Sequence, residues 1–197
     1  MCVHVVYAHP SPNSFTAAVH RHIVEGLAAR GHQVDDLDLY AEHFQPVLTL
    51  AEREAHYAVG ATRARVERYV ERLSAAEALV LCFPTWWYEM PAILKGWFDR
   101  IWLPGVTLHN PPEGGPIRRG LTSIGKLVVA TKYNAPRWLM LLYMQDPGRK
   151  ALMRGFTRLI ASGARTHYHL AHYDMLRSTA GSRKRSLTRV DRTIESF

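Results

Sequence analysis

Two stretches of the chain carry residue types suited to holding a flat ring and an anion. The first is Phe83-Pro84-Thr85-Trp86-Trp87-Tyr88-Glu89-Met90-Pro91. Its three consecutive aromatics, Trp86, Trp87 and Tyr88, offer a platform for a planar ligand; the alternative is that they fill the gap between the flanking elements. The second is His9-Pro10-Ser11-Pro12-Asn13-Ser14, a polar loop that runs into a helical pattern at Phe15. A helix start presents unpaired N–H groups and partial positive charge, which suits phosphate. Pro10 and Pro12 lack an N–H. The candidate donors are therefore the amides of Asn13, Ser14, Phe15 and Thr16, the hydroxyls of Ser11, Ser14 and Thr16, and the ring of His9. N-capping by Asn13 or Ser14 accounts for the same residues and can coexist with phosphate binding.

Two other patterns imitate functional motifs. Gly120-Leu121-Thr122-Ser123-Ile124-Gly125-Lys126 nearly spells a nucleotide P-loop. Leu127, however, stands where Ser or Thr should hold magnesium, and the pattern precedes a strand instead of following one. His167, His169 and His172 resemble a metal cluster, but on a strand 172 points away from the face that 167 and 169 share. No Cys, Asp or Glu supports them until Asp174, so no metal site is assigned.

The elements that must position the two stretches follow from periodicity. Val3–Ala8 and Ala78–Phe83 are short, near-continuous apolar runs, the type buried on both faces of a parallel sheet. His4 reads as packed or at a sheet margin. Val34 to Tyr40 and Lys126–Thr131 predict two further strands, and Thr166 to Leu176 a last one. Phe15 to Arg30 predicts a helix closed by Gly31. Residues 49–76 predict one or two helices. Residues 92–102, apolar at 93, 94, 97, 98 and 101, predict another, with Pro91 as its first residue. Residues 103–125 read as a long irregular connection, 148–162 as a helix and 183–196 as a short basic amphipathic helix or tail. Strand and helix alternate five times, which predicts one α/β domain, residues 1–197, with a doubly wound parallel sheet. Ligands in such sheets sit beyond the carboxyl ends of the strands where the winding reverses. With strand order 2-1-3-4-5, the loops at that point are His9–Ser14 and Pro84–Tyr88.

Composition narrows the function classes. At 197 residues the chain can bury one sizeable core. No run approaches the about 20 apolar residues of a membrane span. The first residues lack the basic, apolar and small-residue order of a signal peptide. Cys2 and Cys82 read as buried hydrophobes, which fits a reducing cytoplasm. Residues 149–197 hold 11 Lys/Arg and 3 Asp/Glu and so carry the whole net charge of +8. A basic quarter suits nucleic acid, an anionic membrane or dinucleotide phosphates, but its scattered spacing reads as a solvated surface, and no nucleic-acid partner is assigned.

Tyr7-Ala8-His9-Pro10 with Ser14-Phe15, and Phe83-Pro84-Thr85-Trp86-Trp87-Tyr88 with Met90-Pro91-Ala92-Ile93-Leu94-Lys95-Gly96-Trp97-Phe98-Asp99-Arg100, resemble the flavodoxin-like NAD(P)H:quinone oxidoreductases. That family includes DT-diaphorase and the ancillary flavoproteins of bacterial potassium-efflux antiporters. The resemblance covers roughly residues 1–175. It implies a flavodoxin-like fold with helices on both faces of the sheet. It also implies a homodimer with FAD or FMN near the subunit interface, and two-electron transfer from NAD(P)H to a quinone-like acceptor. By position, His9, Asn13, Ser14, Phe15 and Thr16 would surround the flavin phosphates. Pro84, Thr85, Trp86, Trp87 and Tyr88 would line the isoalloxazine, and Thr131, Lys132, Tyr133 and Asn134 would form a third wall.

That third wall departs from the family. Ala130-Thr131-Lys132-Tyr133-Asn134 replaces a Thr-Thr-Gly-Gly type turn. Trp138 and Met144 stand where the diaphorases carry a Tyr and a His proposed to handle protons, and neither can do acid–base work at neutral pH. Either Tyr133, Lys132 or another group substitutes, or the flavin N1 charge is stabilised without a proton donor, and the catalytic residues stay unassigned. The apolar insert 135–144 caps the site, joins a dimer interface or packs inside; packing is the expectation. A second reading is a regulatory flavoprotein that docks on a membrane ion-transport partner through the basic 178–197 segment. On that reading, deleting 183–197 would abolish docking and spare NAD(P)H oxidation. A flavodoxin-type electron shuttle ranks last, because such carriers are acidic and this chain is basic.

Overall fold

Near-continuous apolar strands form the centre of one parallel sheet here, with helices over each face. The computed structural model of the chain describes residues 1–56, 65–111, 114–160 and 166–197. In chain order it begins with β1 (Cys2–Tyr7), α1 (Phe15–Ala29), β2 (Gln33–Asp38), α2 (Leu50–Glu54) and α3 (Glu67–Ala75). There follow β3 (Ala78–Pro84), α4 (Ala92–Ile101), β4 (Leu108–His109), β5 (Arg118–Arg119) and β6 (Lys126–Lys132). The chain ends with α5 (Pro147–Lys150), β7 (Thr166–His172) and α6 (Ala180–Ile194). The main sheet has the order β2-β1-β3-β6-β7, every pair parallel. Counting these five strands alone, that is the expected 2-1-3-4-5.

The chain leaves β1 for one neighbour, β2, and returns to the other, β3, so the winding reverses between β1 and β3. Register sets their ends level: Tyr7 lies beside Cys82, and Phe83 and Pro84 lie beside Thr131 and Lys132. The loops after β1, β3 and β6 therefore open at one edge of the sheet.

Alternate residues feed two cores. Val6, Leu79, Leu81, Leu127 and Val129 meet α3 and α4 through Val70, Leu73, Leu94 and Trp97. Val3, Val5, Val80, Cys82 and Val128 meet α1 and α6 through Val19, Ile23, Val190 and Ile194. Cys82 is fully buried, and burial pushes its thiol pKa up, so it behaves as a small hydrophobe. Cys2 is only half-buried. His4 is fully buried, with Nδ1 2.6 Å from an Asp35 oxygen, and Arg72 grips the same carboxylate at 2.8 Å.

Several boundaries differ from the sequence expectation. Pro91 caps α4 instead of starting it (φ −58, ψ 148). Of the expected helical stretch 49–76, α2 and α3 are seen and 57–64 lie outside the described residues. The connection 103–125 is not wholly irregular, because β4 and β5 pair as a small antiparallel ribbon. Gly120 presses against the backbone of Val106, where no Cβ would fit, so its P-loop likeness reflects packing.

The expected helix 148–162 breaks up. It comprises the single turn α5, a π-helix at Ala151–Gly155 and a 3-10 turn at Phe156–Leu159. Leu121 N–H draws the Leu159 carbonyl away at 3.1 Å, and residues 161–165 lie outside the described residues. The insert does not simply pack inside. It forms a π-helix, Leu139–Tyr143, in which Met140 is buried while Leu142 and Tyr143 are exposed, as is Trp138 before it.

The basic terminal stretch is a full helix that starts at Ala180 under a Thr179–Ser182 capping box. Val190 and Ile194 are buried against the α1 face, and Ile194 reaches Gly26, where a larger residue would crowd it. Each such side chain contributes about 1.5–3 kcal/mol, against total stabilities of about 5–15 kcal/mol. Removing residues 180–197 is therefore expected to abolish the cooperative thermal transition by circular dichroism; a preserved transition would contradict this. Deletion of 183–197 consequently cannot separate docking from oxidation. Among the described residues, no helix is long and apolar enough to cross a membrane.

Candidate functional site

The loop after β1 is braced from both ends. Ala8 N–H donates to the Cys82 carbonyl at 3.0 Å, and the Arg21 guanidinium donates to the Pro12 carbonyl at 3.1 Å. Ser11 N–H donates to His9 Nδ1 at 3.0 Å, which places the neutral ring's proton on Nε2. Burial, with help from the Lys132 charge, pushes the His9 pKa down and keeps that ring neutral. Ser14 caps α1: its Oγ accepts from Ala17 N–H at 3.0 Å. Ser14 N–H is itself used, donating to the Ser11 carbonyl at 3.4 Å. The amides of Asn13, Phe15 and Thr16 have no acceptor among the described residues. Thr16 Oγ1 is buried and also lacks a partner. A helix start with free amides and an orphaned hydroxyl fits a phosphate.

The loop after β3 is a tight turn. Trp86 and Glu89 exchange N–H···O bonds of 2.9 and 3.1 Å, while Trp87 (φ 49) and Tyr88 (φ 69) both occupy the left-handed region. Two positive φ values in the centre of a two-residue hairpin define a type I′ turn, which normally takes Asn-Gly. A bulky residue there costs about 1–2 kcal/mol, a strain of the kind found at functional sites. The turn thrusts Trp87 into solvent, 93 % exposed. Thr85 ties the turn to β6 through N–H to the Lys132 carbonyl (2.9 Å) and Oγ1 to Thr131 Oγ1 (3.0 Å). The Trp86 ring lies 5.9 Å from that of His9 and so joins the two loops.

The third wall is built by Tyr133. Its N–H donates to the His172 carbonyl at 2.7 Å, and its ring turns inward to stack on Tyr173 at 4.8 Å. The hydroxyl donates to Asp146 Oδ1 at 2.9 Å and lies 3.3 Å from His169 Nε2. The Tyr133 ring is thus buried in the wall of the opening. Burial, reinforced by Asp146, pushes the Tyr133 phenol pKa far up, so this group holds its proton and does not supply one. Lys132 Nζ reaches Asn134 Oδ1 at 3.3 Å, and burial lowers its pKa.

Together these walls enclose an open cavity of about 400 Å³. Thr85, Trp86, Trp87, Tyr88, Tyr133 and Asn134 line it, with Ala135 and Met140 added by the insert. Phe15 and Thr16 face Thr131 and Lys132 across a narrow neighbouring crevice. Pro84 is buried beneath the turn, and Asn13 is exposed at the helix start. Among the described residues that line the cavity there is no carboxylate, imidazole or amine. The site can therefore bind, orient and shield a ring, and proton handling in it is not assigned to a side chain.

Sequence reasoning missed Asp146 and the use of His169. Asp146 is buried in a left-handed conformation (φ 46) and caps α5. Nothing local marks it as the partner of Tyr133, thirteen residues away. His169 belongs to this network and not to a histidine cluster; the His167 side chain lies outside the described residues. Burial lowers the His169 pKa to about 4, so the folded state resists the proton that the unfolded chain accepts near 6.5. Its contribution to stability is full above about 6.5 and is lost as pH falls toward 4. Wild type should lose about 1–3 kcal/mol across that window, and His169→Asn should flatten the slope in urea unfolding at matched pH values; an unchanged slope would contradict the assignment.

Comparison with known proteins agrees with this geometry. A family model described as the flavodoxin-like fold matches residues 1–140. The chain is 38% identical over 106 residues to an Escherichia coli protein named as an uncharacterized NAD(P)H oxidoreductase, YcaK, covering 53% of this chain and 54% of that protein. The match thus spans about half the length of that curated relative. A Streptococcus mutans protein, Smu.1420, superimposes with TM-score 0.84 at 28% identity over 100% of both chains. A NAD(P)H:quinone oxidoreductase from Methanothermobacter marburgensis does so with TM-score 0.81 at 26% identity, covering 100% of this chain and 96% of that one. Sheet order, loop placement and the family match together establish that the chain belongs to the flavodoxin-like fold family.

Proposed function

We propose that this protein is a flavin-dependent NAD(P)H oxidoreductase that passes two electrons to a quinone or similar acceptor. The observation that carries the reading is the juxtaposition of an unsatisfied helix start, with its orphaned Thr16 hydroxyl, and a ring-lined cavity, joined through His9 and Trp86. The first suits the phosphate of FMN or FAD, and the second suits an isoalloxazine. When bound, the flavin supplies hydride exchange between the nicotinamide and the acceptor. The chain's residues do the rest. Free amides at Asn13, Phe15 and Thr16 hold the anionic tail, with His9 Nε2–H as a further donor. The Trp86–Glu89 turn presents a rigid aromatic edge, and Tyr133, fixed by Asp146, keeps the third wall from collapsing inward.

Trp87, which lines the cavity, and Trp138, Leu142 and Tyr143 of the insert are large apolar side chains left exposed. A patch of this kind marks an interaction site, and a second copy of the chain is the occupant in this reading. The whole of 1–197 acts as one cytoplasmic flavodoxin-like unit. α6 is a packed helix and not a free arm, so docking on a membrane partner would use its exposed basic face, Arg183, Lys184 and Arg185.

The test uses the full chain reconstituted with FMN or FAD under anaerobic conditions. NADPH or NADH should bleach the flavin's visible band, a quinone should restore it, and the preparation should sediment as a dimer. Failure of both flavins to bind would remove the proposal.

A further inference from the structure

The basic quarter of the sequence is not spread evenly over the surface. A groove of about 720 Å³ lies beside β7, and four arginines converge on it from three segments: Arg137 from the insert, Arg149 from α5, and Arg185 and Arg189 from α6. Among the described residues that line it there is no carboxylate. Elsewhere among the described residues some arginines are paired, Arg30 with Glu195, Arg68 with Glu42, Arg72 with Asp35 and Glu42, and Arg100 with Glu52, while others such as Arg119 donate to a backbone carbonyl. Around the groove, Arg137, Arg149 and Arg185 make no ion pair among the described residues, and Arg189 gives one bond of 2.7 Å to the Ala171 carbonyl. Arg185 and Arg189 also stand one turn apart on α6, a like-charge spacing that disfavours the empty helix.

Burial, together with Arg189 and Arg183, lowers the His172 pKa and keeps that ring uncharged. Tyr173 and Leu141 add apolar surface to the lining. The volume falls within the about 300–1,000 Å³ of small-molecule sites. Guanidinium groups bind phosphate with paired N–H···O bonds, so convergence of four of them specifies more than one phosphate group. The groove shares a wall with the ring-lined cavity: Tyr133 lines one, Tyr173 the other, and the two rings stack.

We propose that this groove binds an adenylate carrying two phosphate groups, and that it thereby favours NADPH over NADH as the electron donor. The preference for NADPH rests on the oxidoreductase reading; the binding of the bis-phosphate does not.

Calorimetry on the purified full chain with 2′,5′-ADP and with 5′-AMP tests it, alongside Arg137→Gln and Arg185→Gln, both exposed positions outside the lining of the ring cavity. The bis-phosphate should bind about tenfold more tightly than 5′-AMP, and each variant should weaken it about tenfold. The variants should raise KM for NADPH with kcat and the NADH constants unchanged. Absence of 2′,5′-ADP binding, or binding that both variants retain, overturns the proposal. Binding that depends on the arginines in a protein that oxidises neither dinucleotide would uphold the groove and defeat the oxidoreductase reading. Oxidation with equal preference, untouched by the variants, would do the reverse.

Discussion

Thr16→Val should stabilise the flavin-free protein and weaken its grip on FMN. The Thr16 hydroxyl is buried without a partner, and such an orphan costs about 1–3 kcal/mol. Valine keeps the shape and removes the unpaired group. The flavin-free variant should therefore gain about 1 kcal/mol, or about 2–4 °C in Tm at this chain length. A hydrogen bond to a charged phosphate is worth about 1.5–3 kcal/mol, so the Kd for FMN should rise at least tenfold. Calorimetric melting and flavin-fluorescence titration read the two effects separately. A variant of higher Tm with unchanged Kd would show that the hydroxyl faces no ligand.

The same opposition of stability and binding is expected at the tryptophan turn. Trp87→Asn combined with Tyr88→Gly installs the residues that a type I′ turn prefers. Relief of two left-handed bulky residues should stabilise the flavin-free chain by about 1–3 kcal/mol. Loss of the aromatic edge should raise the Kd for FMN about 100-fold, since large rings dominate the burial of a planar ligand. Destabilisation would mean that Trp87 and Tyr88 serve packing; the 93 % exposure of Trp87 argues against that. Unchanged affinity would mean that the ring sits elsewhere.

Much of this was legible in the chain because local rules and tertiary structure agree there. The apolar runs of β1 and β3 are buried on both faces, as their composition requires. Gly31, at φ 77, ends α1 where a C′ glycine was expected. Local pattern failed where distant contacts decide the backbone. The apolar positions 152, 156, 159 and 160 have helical spacing, yet Gln145 and Asp146 are left-handed (φ 56 and 46) and the ladder slips into π and 3-10 turns. The partners of Asp146 are Tyr133 and Arg149, and the first of these pairs no sequence period can reveal. The insert misled because an apolar run states that surface will be covered, not whether its own chain covers it; Leu142 and Tyr143 remain exposed. Likewise, the basic quarter read as a solvated surface because spacing along the chain hides convergence in space. Arg137, Arg149 and Arg185 come from three segments and meet only in the fold.

The central claim is that the start of α1 holds an anionic tail while the turn after β3 seats the ring to which it is joined. Titration of the flavin-free protein with FMN and with riboflavin, which differ only in the phosphate, tests it most directly. The account expects FMN to bind about 100-fold more tightly, with the gap narrowing in Thr16→Val. Equal affinity for the two flavins would contradict it.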